Sequence, residues 1–194
     1  MLDERFCAMG TTVHIRTVGG RSTVAQQAQL RLAALESRWS RFRTGSDVSE
    51  LNRSAGHWVP VASETILLLQ RSMDAARATD GRFDPTVGAA LIAHGYDRDF
   101  DEVAAGVAAG PGAASPAPGL AGVEVDPDLH LVTLPPGVTF DPGGIGKGLA
   151  ADIITAELMS DGAAGALVSI GGDLRVRGVA PGGGAWRIDI EDPR

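Results

Sequence analysis

A chain of 194 residues with 44% hydrophobic and 21% charged side chains has enough apolar material for a substantial core and too little charge to stay unfolded. Its formal net charge of −7, with no basic stripe, excludes unspecific nucleic-acid binding, which needs Lys and Arg to neutralise phosphates. Cys7 is the single cysteine, which excludes an internal disulfide and a thiolate metal cluster.

Met1-Leu2-Asp3-Glu4-Arg5 is acidic where a signal peptide would be basic and then apolar, and no apolar run approaches the roughly 20 residues of a membrane span. The chain as written therefore reads as cytoplasmic; an exported or membrane-associated precursor that has lost its leader is the alternative. From Thr11 to Thr17, Val13, Ile15 and Thr17 alternate with Thr12, His14 and Arg16, the pattern of a half-buried strand. Between Ser22 and Phe42 the residues Val24, Leu30, Leu32, Leu35 and Trp39 form an apolar helical stripe. Gly45 breaks that helix, and Ser46 or Asp47 can cap a short new one. Ser63 offers the N-cap of a further helix from Glu64 to about Ala78, with Ile66, Leu67, Leu69, Met73 and Ala76 inward, stopped by Asp80-Gly81.

Gly81-Arg82-Phe83-Asp84-Pro85-Thr86 is a turn in which Pro85 forces Asp84 out of the helical region and opens a helix through Ala93. Residues 103–119 are Ala, Gly, Pro and Ser with almost no charge, a low-complexity surface insertion. Val123-Glu124-Val125 and Leu131-Val132-Thr133-Leu134 flank Asp126-Pro127-Asp128 as a hairpin. Val138-Thr139-Phe140 reads as a short strand, Leu149 to Met159 as a helix, Ala166 to Ile170 as a buried strand, and Leu174 to Gly178 and Trp186 to Ile190 as half-exposed ones. Hairpins without a regular βαβ alternation give an α+β class, with mixed or antiparallel sheets and flanking helices.

Between the strand at Phe140 and the helix at Leu149 lies Asp141-Pro142-Gly143-Gly144-Ile145-Gly146-Lys147-Gly148. Backbone N–H groups at a helix start lack intrahelical partners, and glycines let an anion approach them, with Lys147 adding a positive charge. The loop is neither a P-loop, since Asp141 and Gly148 stand where Gly and Ser or Thr are required, nor a G-x-G-x-x-G fingerprint. Asp141 would repel a bound phosphate unless it faced a metal, a ligand proton or a helix end; it accepts a ring N–H of the ligand or caps the loop through local N–H groups. As a loop-facing carboxylate it is expected to lie off the core. His14, His57, His94 and His130 show no metal-ligand spacing, and neither G-x-S-x-G nor H-E-x-x-H occurs.

Five segments in order resemble the ApbE family of flavin transferases: Met9-Gly10-Thr11, Ser46 through Asn52, Gly81 through Thr86, Asp141 through Asp152, and Ser169 through Asp173. The resemblance implies a single ApbE-like, T-fold-related domain over 1–194. It implies an enzyme that binds FAD, uses Mg²⁺, and transfers FMN to a Thr or Ser hydroxyl of an acceptor protein with release of AMP. An FAD pyrophosphatase giving FMN and AMP, and a flavin-binding module without turnover, are the alternatives. By resemblance, Met9, Phe42, Arg82, Phe83 and Asp84 line the FAD site, Asp141 and Lys147 act on the cofactor from the loop, and the Gly144 carbonyl is a Mg²⁺ ligand. Phe42 stands where the family often has Tyr. Family members continue into an Asp-Pro-x-Thr-Gly segment and an Asp-Ala-x-x-Thr-Ala segment that completes the metal site. Neither occurs in these residues, so the domain is expected to be C-terminally incomplete.

Overall fold

The computed structural model of the chain describes residues 1–21, 23–96 and 115–189. In chain order these form β1 (Leu2–Ala8), β2 (Thr11–Gly19), α1 (Val24–Trp39), α2 (Asp47–Arg53), β3 (Trp58–Pro60), α3 (Ser63–Ala78), α4 (Gly88–Ala93), β4 (Glu124–Asp126), β5 (Leu131–Thr133), α5 (Gly146–Ser160), β6 (Ala163–Ile170) and β7 (Asp173–Gly178). They divide into two compact units: Met1–Leu32 with Gly148–Arg194, and Ala33–Lys147. The α+β class is observed: both sheets are antiparallel, and helices accompany them.

The first unit is built on a four-stranded sheet of order β1-β2-β6-β7. Val13 and Ile15 of β2 oppose Ile170 and Val168 of β6, and all four are buried, as the alternation in β2 requires. β1 carries Asp3, Glu4 and Arg5 on a mostly exposed edge, so it has no apolar alternation and becomes a strand only through its full register with β2, from Leu2↔Thr17 to Ala8↔Thr11. Two residues join them, Met9 at φ 53° and Gly10 at φ 66°, the sign pattern of a type I′ hairpin turn. A long side chain in the left-handed region is strained, and Met9 is such a residue. Val24, Ala25, Ala28 and Leu32 of α1 and Leu149, Ala150, Ala151, Ile154 and Leu158 of α5 are buried, while Arg31 Nε donates to Glu157 Oε1 at 2.9 Å. The strand expected at Trp186–Ile190 is absent over 186–189, Ile190 lying outside the described residues. The Trp186 indole donates to the Gly178 carbonyl at 3.2 Å, and Arg187 pairs with Asp189 in solvent, so the alternation faces no sheet.

The second unit has a three-stranded sheet of order β3-β5-β4, with Val59, Val125 and Val132 in register. The expected hairpin is β4 and β5, its turn fixed by Asp126 Oδ1, which accepts from the N–H groups of Asp128 and Leu129. β3 is an edge strand ending in Pro60, a position proline tolerates because no ladder donor is needed there. Ser46 caps α2 as expected, accepting from Ser49 N at 3.0 Å.

Three local expectations are corrected here. The N-cap of α3 is Ala62 rather than Ser63, and Asp47 replaces a local cap, its Oδ2 accepting from Ala62 N at 3.0 Å and Thr65 Oγ1 at 2.6 Å. The buried face of α3 is Thr65, Ile66, Leu68, Leu69 and Ser72, rotated from the one expected because Asp47 satisfies Thr65, and Ser72 Oγ bonds the Leu68 carbonyl. The strand expected at Val138–Phe140 is reduced to one parallel bridge, Val87↔Thr139, continued by Asp141 N donating to the Pro85 carbonyl at 2.7 Å. Of the low-complexity segment, 103–114 lie outside the described residues; Gly119 N donates to Thr86 Oγ1 at 2.9 Å.

Candidate functional site

The glycine loop is held from both sides of its entrance. Phe140, fully buried, has no strand neighbour; instead the Asn52 side chain receives its N–H on Oδ1 at 2.8 Å and donates Nδ2 to its carbonyl at 2.9 Å. A side-chain amide thus does what a neighbouring β-strand would, which a buried backbone demands. One residue on, Asp141 turns inward. Its Oδ2 lies 2.6 Å from Arg41 Nε, with only 9% of the Arg41 and 8% of the Asp141 side chain exposed. Its Oδ1 accepts the Gly143 N–H at 2.7 Å. The expectation that Asp141 stands off the core is therefore wrong: a buried guanidinium is available in the fold, and the paired carboxylate is drawn to it. Of the two readings left open for Asp141, the local cap of the loop is present, through Gly143.

Beyond the cap the loop reaches the surface. Gly143 and Gly144 are exposed, and Ile145 N and Gly146 N both donate back to the Pro142 carbonyl, turning the chain into α5. Side chains are excluded here by space. A Cβ on Gly143 would lie 2.7 Å from Asp141 Oδ1, and one on Gly144 2.8 Å from Phe83 Cε2. Lys147, in the first turn of α5, is half-buried and has no acid partner among the described residues.

Phe83 reaches Gly144 because α3 ends just before it. Thr79 forms the C-cap, Asp80 and Gly81 take positive φ, and Phe83 N donates to Thr79 Oγ1 at 3.0 Å. Asp84 Oδ1 accepts from Thr86 N at 2.8 Å and Thr86 Oγ1 at 2.6 Å, a local cap of the turn. Arg82 is exposed. Phe42 lies under the Arg41 guanidinium, 4.2 Å from its ring centroid.

The structure thus links Phe42, Asp141 and Gly143 through Arg41, and Phe83 to Gly144, within the second unit. Met9 belongs to the first unit, at the tip of its hairpin. Arg41 is the residue that sequence reading passed over; the available signal was an acid without a visible counter-charge, together with Arg41 standing beside Phe42.

The fit to Mg²⁺ can be tested on donors. A hard dication takes about six oxygen ligands, usually with one or two carboxylates. Asp141, the nearest acid in sequence to Gly144, has one oxygen on a guanidinium and the other on an N–H. No group of three or more His, Cys, Asp or Glu able to hold a metal occurs among the described residues. These residues do not make a Mg²⁺ site by themselves.

Comparison with known proteins agrees with the motif pattern. The ApbE family model matches residues 9–194, so it runs through both units. An FAD:protein FMN transferase of Rhodobacter capsulatus is 29% identical over 205 residues, covering 99% of this chain and 38% of its own length. One of Salmonella typhimurium is 29% identical over 194 residues, covering 95% of this chain and 55% of its own. The crystal structure of the ApbE protein of Thermotoga maritima superposes with a TM-score of 0.81 at 28% identity, over all of this chain and 64% of that one. The fold is an α+β architecture shared with an ApbE protein of known structure. This chain belongs to the ApbE family. It spans about half the length of the curated relatives it matches, 38% and 55% for the two named.

Proposed function

We propose that this chain carries the flavin-nucleotide part of an FAD:protein FMN transferase. The observation that carries this reading is the glycine loop itself, a buried acid and cap supporting an exposed turn into a helix, in a chain aligned over 95% or more of its length with two proteins of that name. In the reaction, the hydroxyl oxygen of a Thr or Ser on an acceptor protein bonds to the phosphorus on the flavin side of FAD. The pyrophosphate bond to the adenylate breaks, AMP leaves with the bridging oxygen and its electron pair, and the hydroxyl proton goes to solvent or to the leaving phosphate. Both phosphates gain charge on their outer oxygens, so oriented N–H donors and fixed cations favour the transition state.

The residues suit these tasks. Exposed backbone at Gly144 and the Lys147 ammonium supply donors and positive charge at the start of α5. Phe83, held over Gly144, and Phe42, held by Arg41, offer ring faces to a flavin or adenine, and Arg82 a solvent-facing cation. Asp84 retains one carboxylate oxygen without a partner among the described residues, suited to a ligand N–H. Asp141 acts on the cofactor through the loop it caps. Mg²⁺ belongs to this reading with the Gly144 carbonyl as one ligand and the others from outside the described residues.

The test is to incubate the full natural chain with FAD, Mg²⁺ and an acceptor protein carrying the target Thr. Flavin fluorescence retained on the denatured acceptor, with one AMP per flavin, is the expected result. Free FMN without acceptor would indicate the pyrophosphatase, and FAD bound without AMP formation would indicate a binding module.

A further inference from the structure

We propose that Arg41 is the positioning residue of the glycine loop, the counter-ion that lets an acid stand at the base of an anion-binding turn. The inference rests on the flavin-nucleotide reading of that loop and adds to it a residue which neither the motifs nor the family match singles out. An uncompensated carboxylate at position 141 would lie two residues from exposed Gly143 and repel the phosphates of a dinucleotide. The structure removes that conflict. Arg41 Nε sits 2.6 Å from Asp141 Oδ2 with both side chains nearly buried, so the pair presents no net charge to the loop. Because Oδ2 is fixed by the guanidinium, Oδ1 is left aimed at Gly143 N at 2.7 Å. That bond sets the turn from which Gly144 faces solvent.

Arg41 is itself over-determined. Its Nη2 donates to the Tyr96 carbonyl at 2.5 Å, and its Cζ lies 4.2 Å from the Phe42 ring centroid and 5.5 Å from that of Tyr96. A planar fork with several donors makes these contacts together, which an ammonium cannot. The guanidinium therefore joins the elbow after α1, the chain after α4 and the glycine loop within the second unit. It reaches a ligand only through the loop, by charge cancellation and by the Gly143 bond.

The experiment uses the full chain as wild type, Arg41→Met, Arg41→Lys, Asp141→Asn and the double variant Arg41→Met with Asp141→Asn. Circular dichroism confirms that each is folded. FAD affinity is read by fluorescence quenching at two salt concentrations, and amide exchange of Gly143 and Gly144 is read without ligand. Loss of the counter-ion of a buried acid predicts that Arg41→Met weakens FAD binding at least about tenfold and speeds Gly143 exchange at least about tenfold. Cancelling both charges in the double variant should restore most of the affinity, and Arg41→Lys should restore the charge effect but only part of the exchange protection. Unchanged affinity in Arg41→Met, or a double variant no better than Arg41→Met, would overturn charge compensation. Unchanged Gly143 exchange would overturn positioning even if FAD did not bind to any form, whereas a wild type that ignores FAD while Arg41→Met loses protection would overturn the flavin reading alone.

Discussion

Asn52 and Phe140 form a closed two-bond ring: the side-chain amide of one takes both the backbone N–H and the carbonyl of the other, at 2.8 and 2.9 Å. The Phe140 backbone enters the glycine loop directly, so the amide on α2 sets where that loop begins.

Replacing Asn52 by Leu should leave both polar groups of a buried backbone unit without partners. A cost of about 2–6 kcal/mol is expected, from about 1–3 kcal/mol for each of the two buried groups left unsatisfied. Asn52→Asp should cost less only where the carboxyl is protonated, one oxygen accepting the N–H and the other donating to the carbonyl; ionised, it sets a charged acceptor against that carbonyl and should be no better than Asn52→Leu. Urea unfolding of the three forms at constant m-value checks the order.

Gly144→Ala places a methyl 2.8 Å from Phe83 Cε2, and the half-buried ring must shift to admit it. The fold should persist with a loss of about 1–2 kcal/mol, typical of modest overpacking. Adding Phe83→Leu should recover at least half of that loss. A thermal-melt cycle on the single and double variants measures the coupling, and FAD titration on the same samples shows whether the displaced ring also lowers affinity.

The start of α3 distinguishes a distant cap from a local one. Asp47→Ala removes the acceptor of Ala62 N and Thr65 Oγ1 and should cost about 1–2 kcal/mol, the range of lost capping bonds. Ser63→Ala should be nearly neutral, since Ser63 is exposed and, among the described residues, its Oγ reaches the neighbouring Glu64 carboxylate alone. Equal effects of the two substitutions in denaturant melts would contradict the assignment.

At the edge of the first sheet, the hydrogen bond from His14, together with the charges of His14, Arg16 and Arg5, holds the Asp3 carboxyl below the usual carboxylate range despite some opposing desolvation. Its Oδ1 is 2.7 Å from His14 Nε2 and its Oδ2 2.8 Å from Arg16 Nε. Since the folded pKa is depressed, this contribution to stability is complete above the unfolded pKa and disappears as pH falls through the folded one. The contribution is small, because the site is open to solvent. An NMR titration of Asp3 should find its midpoint raised toward the ordinary value in His14→Ala.

Where the periodicity was local, it was legible. The alternation of Val13, Ile15 and Thr17, the hairpin around Asp126 and the cap at Ser46 all fold as their neighbours in sequence require. Patterns failed where the partner was remote. β1 has charges in place of alternation, the Trp186 segment alternates with no strand beside it, and Phe140 resembles a strand residue but pairs with a side chain. The candidate site divides the same way: the glycines, Phe83 and Asp141 could be named from spacing and motif, and Arg41 could not.

The sequence by itself determined the α+β class, the glycine turn that opens into a helix and the family, because hydrophobic period, turn residues and motif order are properties of consecutive residues. The tertiary structure alone decided the state of Asp141. Whether a carboxylate faces a ligand or the interior depends on which distant side chain arrives beside it, and here Arg41 does, 2.6 Å away. A buried charge is stable only with such a partner, and no local pattern encodes the meeting of the two.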